Sequence, residues 1–332
     1  MRARLNVLCA TIVTLSVCGF DLSAHQPTKE AQPTIGKAVL RHPSDVAMCN
    51  LLYGAGGEEH APTAGRFTFV QEDLDGTQPK FEIEDERGIR WKAKLGAEAR
   101  SETAATRFVS AAGYFTDEDY YLPELRVEGL PTLKRGREYV SGGGVVVGAR
   151  LERQISGEKK TGHWSWLENP FVGTRELNGL KVLMALINDW DLKEVNNSIY
   201  DERDGEQRYA VSDLGASFGR NSNEYSRSKA NVEGYQRSGF IKAIRPQEID
   251  FVLQHYPFWV PAVRTVHFRE YGRMEELVQH IPRTDVTWIG ELLAQLSDTQ
   301  IGDAFRAAGF SAQEVDAFTA TIRARITQLS RL

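Results

Sequence analysis

Hydrophobic and polar positions alternate from Arg66 onward. In RFTFVQ, Phe67 and Phe69 share one face, with Thr68 and Val70 on the other; in KFEIED, Phe81 and Ile83 share a face. IRWKAKL sets Ile89, Trp91, Ala93 and Leu95 against Arg90, Lys92 and Lys94. A period of two places successive side chains on opposite faces of a pleated strand, so these runs predict an antiparallel meander. The breaks between them, DLDGTQP and ERG, contain Asp75-Gly76 and Arg87-Gly88, where glycine takes a positive φ without steric penalty. LRVEGL and GVVVGARLERQ predict two more strands, with SGGGVVVG as a turn entering the second.

Other stretches have helical period. SETAATRFVSAAG spaces Ala104/Ala105, Phe108 and Ala112 helically, with Ser101 as N-cap. Leu177, Leu180, Met184 and Ile187 mark a second helix, capped by Thr174 with Glu176 in its first turn. RYAVSDL is a short strand. From Pro246 onward the pattern predicts mostly helix, through PQEIDFVLQHY, VTWIGELLAQL, DTQIGDAFRAAG and SAQEVDAFTATIRARITQL. Asp298 and Ser311 stand at N-cap positions and Gly309 at a C-cap; Arg323, Arg325 and Arg331 form a solvated face of the last helix. Strands therefore dominate the first part and helices the second, an α+β layout with a sheet-rich lobe over 61–155 and a mainly helical lobe over 156–332. The aromatic stretches WSWLENPF and HYPFWVP read as packing elements.

The N-terminus changes the picture. Arg2 and Arg4 precede an apolar run over residues 5–17, the two leading regions of an export signal, too short to span a bilayer comfortably. Two cleavage patterns fit within 1–24. LSVC resembles a bacterial lipobox and would leave Cys18 lipidated and membrane-attached, with Val17 where glycine or alanine is usual. LSA ends at Ala24 and would release a soluble chain into the periplasm or cell envelope. Residues 25–60 read as a tether and N-terminal extension. Beyond the signal only Cys49 remains, so no internal disulfide framework exists, and no Cys or His pair has zinc-ligand spacing. At 332 residues, 41% hydrophobic and 26% charged, the chain can bury a substantial core; its net charge of −5 gives no basic field to recruit nucleic acid.

Candidate chemistry begins at DWDLKEVNN, which leaves the second helix. Asn196 stands five positions after Asp191, with Lys193 between. The protein-kinase catalytic loop, H-R-D-L-x-x-x-N, has this Asp-to-Asn spacing; its Asp receives the acceptor hydroxyl's proton and its Asn holds a metal ion. Here Asp189-Trp190 replaces the His-Arg pair. The strand YAV then ends at Asp213-Leu214-Gly215, which matches D-F-G with leucine as the apolar plug. A hard cation needs oxygen ligands, which Asp213 and Asn196 can supply beside phosphate oxygens. Lys94 on the WKAKLG strand is the candidate phosphate clamp, with Lys92 on the same face as its rival. Glu102, eight positions on, is the candidate carboxylate that orients it, with Glu98 as substitute. The turn DGTQPK precedes that strand, and its backbone amides can cover phosphates.

The order of turn, lysine strand, acidic helix, D-x-K-x-x-N loop and D-L-G resembles the atypical branch of the protein-kinase-like superfamily, HipA-like and phosphoinositide-kinase-like proteins in particular. Gly76, Gln78 and Lys80 match the G-x-Q-x-K turn of HipA-like kinases, and the likeness spans residues 66 to 220. The chain also looks like a group of exported bacterial proteins with NPFVGTRE and SDLGA segments, which carries no activity over. The resemblance implies a bilobal fold. It also implies an exported phosphotransferase using ATP or another nucleotide with Mg²⁺ or Mn²⁺. Gly76, Gln78, Lys80, Lys94 and Glu102 would hold the nucleotide, Asn196 and Asp213 the metal. Asp191 would position an acceptor hydroxyl on a protein, sugar or lipid headgroup, with Lys193 neutralising the transferred phosphoryl group. The other readings are a pseudokinase-like binding module of the envelope, and nucleotidyl transfer on the same fold. No A-P-E motif is present.

Overall fold

A computed structural model describes residues 37–332, except 64, 203, 222–226 and 254–272. The export signal, Cys18 and the HYPFWVP stretch lie largely or wholly outside the described residues. β1 (Lys37–Val39) opens the described chain, and Val46 and Leu51 beyond it are buried in the main core. The alternating stretch then forms β2 (Arg66–Asp73), β3 (Lys80–Asp85) and β4 (Arg90–Leu95). Phe81, Ile83, Trp91, Ala93 and Leu95 all point inward, as their period requires. Asp85 pins the turn into β4, accepting bonds from Arg87 N and Ile89 N at 2.9 Å and from Trp91 Nε1 at 3.2 Å.

After Gly96, at φ +90°, comes α1 (Ala97–Ala111). The expected cap at Ser101 is thus corrected: the glycine turns the chain sharply enough for the helix to start a turn earlier. Ser101 instead donates to Gly215 O at 2.7 Å, tying α1 to the Asp-Leu-Gly turn. Next come β5 (Phe115–Thr116), β6 (Asp119–Glu128), β7 (Val140–Ser141) and β8 (Val145–Arg153). Pairings β2–β3, β3–β4, β4–β8, β8–β6 and β6–β2 close a ring of five strands, with β7 on the edge of β8. The ring encloses its own core, including Phe67, Phe81, Trp91, Val146 and Leu151. α1 packs on β4, β6 and β8 on one side and reaches the helical core on the other, which explains its many small buried residues.

The second part is more mixed than its sequence suggests. β9 (Lys159–Gly162) precedes α2 (Arg175–Ile187), whose cap is the expected Thr174, accepting from Leu177 N. β10 (Asn197–Asp201) and β11 (Glu206–Val211) form a hairpin flanked by β9 on one side and by β1 and β5 on the other. α3 (Val232–Arg237) follows, then a sheet of β12 (Ile241–Ile244), β13 (Glu248–Phe251) and β14 (Ile281–Pro282). The helix expected from PQEIDFVLQHY is therefore a strand over 248–251. Arg245 N bonds Glu248 O at 2.8 Å, closing a tight turn at Pro246-Gln247 that folds β13 back on β12. Buried Ile249 and Phe251 have period two, which the longer apolar pattern hid.

α4 (Arg283–Ala294), α5 (Asp298–Ala307) and α6 (Ala312–Leu329) complete the chain. Ser311 caps α6 as expected; the cap of α5 is Ser297, one residue before Asp298, and both serines form capping boxes. Phe305 and Phe318 stack at 4.6 Å between α5 and α6. The expected solvated arginine face is corrected at Arg325, which is buried. It shares the inward face with Phe318, Ile322 and Leu329, and donates to the Leu186, Tyr235 and Ser238 carbonyls. Among the described residues no helix is long and apolar enough to cross a membrane.

Candidate active site

Lys94 leaves β4 on the face opposite Trp91 and Ala93, and its ammonium meets three carboxylates. Glu102, in the second turn of α1, lies 2.8 Å away, Asp213 3.2 Å and Glu98 3.7 Å. Lys92, the rival, comes only within 4.0 Å of Asp73, which holds Lys80 at 3.2 Å. Both glutamates considered for Lys94 are therefore near it. Glu102 makes the closer contact, while Glu98 also accepts from Gln78 Nε2 at 2.8 Å and pairs with Lys229.

Asp213 is set by the loop it must meet. Ser212 N and Asp213 N both donate to Asn196 O, at 2.9 and 3.2 Å, and Gly215 N donates to Asp213 Oδ1 at 3.3 Å. The loop braces itself as well. Asn196 Nδ2 donates to Asp191 O at 2.7 Å, Asp191 N donates to Asp189 Oδ1 at 3.1 Å, and Lys193 Nζ lies 2.8 Å from Asp191 Oδ1. Asn188, at φ +52°, ends α2 and turns the chain into this loop. The buried Phe218 ring anchors the far side of Asp-Leu-Gly against Phe108, Phe305 and Tyr235.

The turn before β3 is held from outside. Arg135 donates to Gly76 O at 2.6 Å and to Asp73 O at 3.1 Å. A cavity of about 370 Å³ is lined by Gly76, Gln78, Lys80, Lys94, Asp191, Lys193, Asn196 and Asp213 together. A second of about 700 Å³ shares Lys80, Lys94, Asn196 and Asp213 with it and adds Glu102. The nine residues singled out from sequence thus gather along one cleft.

The electrostatics follow from burial and pairing. Burial acts to raise the Asp213 carboxyl, but Lys94, the Gly215 N–H and Arg150 outweigh it and hold it below the ordinary range. Burial acts to lower Lys94, yet Glu102, Asp213 and Glu98 keep it above the ordinary lysine range against the repulsion of Arg150. Burial raises Glu102, to about 8, against the pull of Arg150 and Lys94. With both cations within 3.3 Å, its ionised form is the one that pairs with each of them. Asp189, fully enclosed, is raised by burial to about 8.

Asp213 and Asn196 fit a hard divalent cation in one respect each. The Asp213 carboxylate is ionised and 45% accessible in the cleft, and Asn196 spends its amide N–H₂ on Asp191, leaving Oδ1 for a cation. Among the described residues no group of three or more His, Cys, Asp or Glu is arranged to hold a metal alone, so further oxygens must come from a ligand.

Several residues here had no signal in the pattern. Arg150 is buried and reaches Glu102 at 3.3 Å, Glu152 at 3.1 Å and Asp119. Arg227 and Lys229 lie 5.2 and 5.3 Å from the Trp190 ring and line the smaller cavity. Alternation on β8 puts Arg150 and Glu152 on one face, but only α1 packing beneath it gives that face a role.

No protein-family model matches the chain, and no curated protein matches it. Among solved structures it is similar to the crystal structure of a Helicobacter pylori proinflammatory kinase, CtkA, at 10% identity and a TM-score of 0.36, over 81% of this chain and 99% of that one.

Proposed function

We propose that the chain is an exported, metal-dependent phosphotransferase with a bilobal protein-kinase-like fold that uses ATP or another nucleotide. The observation that carries this reading is the meeting at Lys94. A strand-borne ammonium touches a helix carboxylate and the Asp-Leu-Gly carboxylate at once, while Asn196 bonds the backbone of that same aspartate. Lys94 would clamp donor phosphates, held by Glu102. The turn over Gly76, Gln78 and Lys80 would cover them. Asp213 and Asn196 would hold Mg²⁺ or Mn²⁺. Such a cation would offset charge on the donor phosphates.

Asp191 would accept the proton of the acceptor hydroxyl, and Lys193, already 2.8 Å from it, would stabilise the phosphoryl charge. Catalysis of this type rests on positioning and electrostatics, which a braced loop and a buried ion network supply. Export rests on the residues ahead of the described chain, Arg2, Arg4 and the apolar run, with Cys18 as the lipid anchor where cleavage falls at LSVC.

The test is metal-dependent ATP binding and phosphate transfer by the mature protein, beside Asp213→Ala and Asp191→Asn. Asp213→Ala should abolish metal-dependent binding. Asp191→Asn should keep binding and lose transfer by roughly 100-fold or more. Identical behaviour of all three proteins would remove the reading.

A further inference from the structure

Arg150 and Lys94 stand directly opposite each other on the paired strands β8 and β4. Like charges in that position repel and destabilise a sheet. Both side chains are buried, so water does little to screen them. One atom offsets the repulsion: Glu102 Oε2 lies 2.8 Å from the Lys94 ammonium and 3.3 Å from Arg150 Nε. The other Glu102 oxygen is buried and has no hydrogen-bond partner among the described residues, so the carboxylate depends on these two cations.

The two cations differ in what else they touch. Arg150 is fixed from behind. Its guanidinium pairs with the wholly buried Asp119 on β6 and lies 3.1 Å from Glu152 on its own strand. Lys94 faces the cleft, where it also meets the partly exposed Asp213. A phosphate entering there competes with Glu102 for the ammonium. A buried carboxylate with Lys94 as its sole cation would resist that sharing, because moving the ammonium would leave its charge uncompensated. With Arg150 behind it, Glu102 keeps a cation whatever Lys94 binds.

Resting on the phosphotransferase reading above, we propose that Arg150 is a positioning residue for the donor phosphates. It acts through Glu102: it holds that carboxylate from behind and so frees the Lys94 ammonium to turn to the phosphates without leaving the cleft wall.

The test measures binding of ATP and of inorganic tripolyphosphate in Mg²⁺ by the mature protein, with urea midpoints beside, for Arg150→Met, Glu102→Gln, the two combined, and Asp119→Asn. Arg150→Met should weaken both ligands by about tenfold or more; with Glu102→Gln already present it should cost about twofold or less. Asp119→Asn disturbs Arg150 on the side away from Glu102. It should lower the midpoint and leave both affinities within about twofold of wild type. Three results would each overturn the inference and leave the phosphotransferase reading standing: an Arg150→Met affinity within about twofold of wild type, a loss that multiplies with that of Glu102→Gln, or an Asp119→Asn affinity that falls with its midpoint. Failure of both ligands to bind the wild type overturns both. Should Arg150→Met unfold by orphaning Asp119, the same cycle is run in Asp119→Asn, where that carboxylate is already neutral.

Discussion

Lys94 and Asp213, 119 positions apart in the chain, meet with Nζ 3.2 Å from Oδ1. Neither local pattern specifies that contact. It exists because β4 and the turn after β11 end on the same cleft, with Glu102 closing the third corner 2.8 Å from the ammonium.

Lys94→Met removes the shared cation of this triad. Glu102 then keeps Arg150 alone, so the expected loss of unfolding free energy is about 2–3 kcal/mol, short of the ~3–5 kcal/mol of a fully orphaned buried charge. Phosphate transfer should fall by about 100-fold or more. Urea denaturation beside a transfer assay checks both; an unchanged midpoint would mean that the triad does not carry stability.

Asp189 gives a pH signature with a definite sign. Burial raises its carboxyl to about 8 in the folded chain, so the folded state binds this proton more tightly than the unfolded one. Stability from this group is therefore full below the unfolded carboxyl pKa of about 4 and is lost as pH rises toward 8, at up to ~1.4 kcal/mol per pH unit. Asp189→Asn should remove that slope, gaining on the wild type between pH 5 and 8. Denaturation at pH 5, 6.5 and 8 reads the difference, and parallel curves would contradict it.

Arg325 is a buried cation held mainly by carbonyl oxygens, and burial lowers its pKa. It donates to Leu186 O at 2.9 Å, to Tyr235 O and Ser238 O at 3.1 Å, and to Ser238 Oγ at 2.7 Å. Arg325→Met removes these bonds together and should destabilise the protein by about 2–4 kcal/mol. Leu186 lies near the end of α2, just ahead of the Asp191 loop, so transfer should fall as well. Thermal unfolding and the transfer assay test the two effects separately.

Gly179, inside α2, has no room for a side chain. A Cβ there would lie 2.5 Å from Trp288 Cζ3 and 2.9 Å from the Tyr114 hydroxyl. Alanine normally strengthens a helix interior relative to glycine by about 1 kcal/mol, but here overpacking should reverse the sign, with a net loss of ~1–2 kcal/mol. A rise in melting temperature for Gly179→Ala would refute the close packing of α2 on α4.

The strands of the ring were legible because one face of each packs inward, which imposes a period of two on Phe81, Ile83, Trp91 and Ala93. The caps at Thr174 and Ser311 were legible because capping is a local hydrogen bond. Where two periods overlap, as in PQEIDFVLQHY, the turn at Pro246-Gln247 decided for strand. Arg325 misled for a related reason: arginine on a helix usually faces water, and its burial is made tolerable by distant acceptors, three carbonyls and the Ser238 hydroxyl.

The sequence by itself determined the order of chemical groups along the chain and the kind of element bearing each one, since periodicity, capping and turn residues act within a few positions of themselves. The tertiary structure alone decided which of them share a cleft. Lys94 rather than Lys92 bonds Glu102, and Arg150 stands behind that pair, because long-range strand pairing and the packing of α1 set distances that no local pattern encodes.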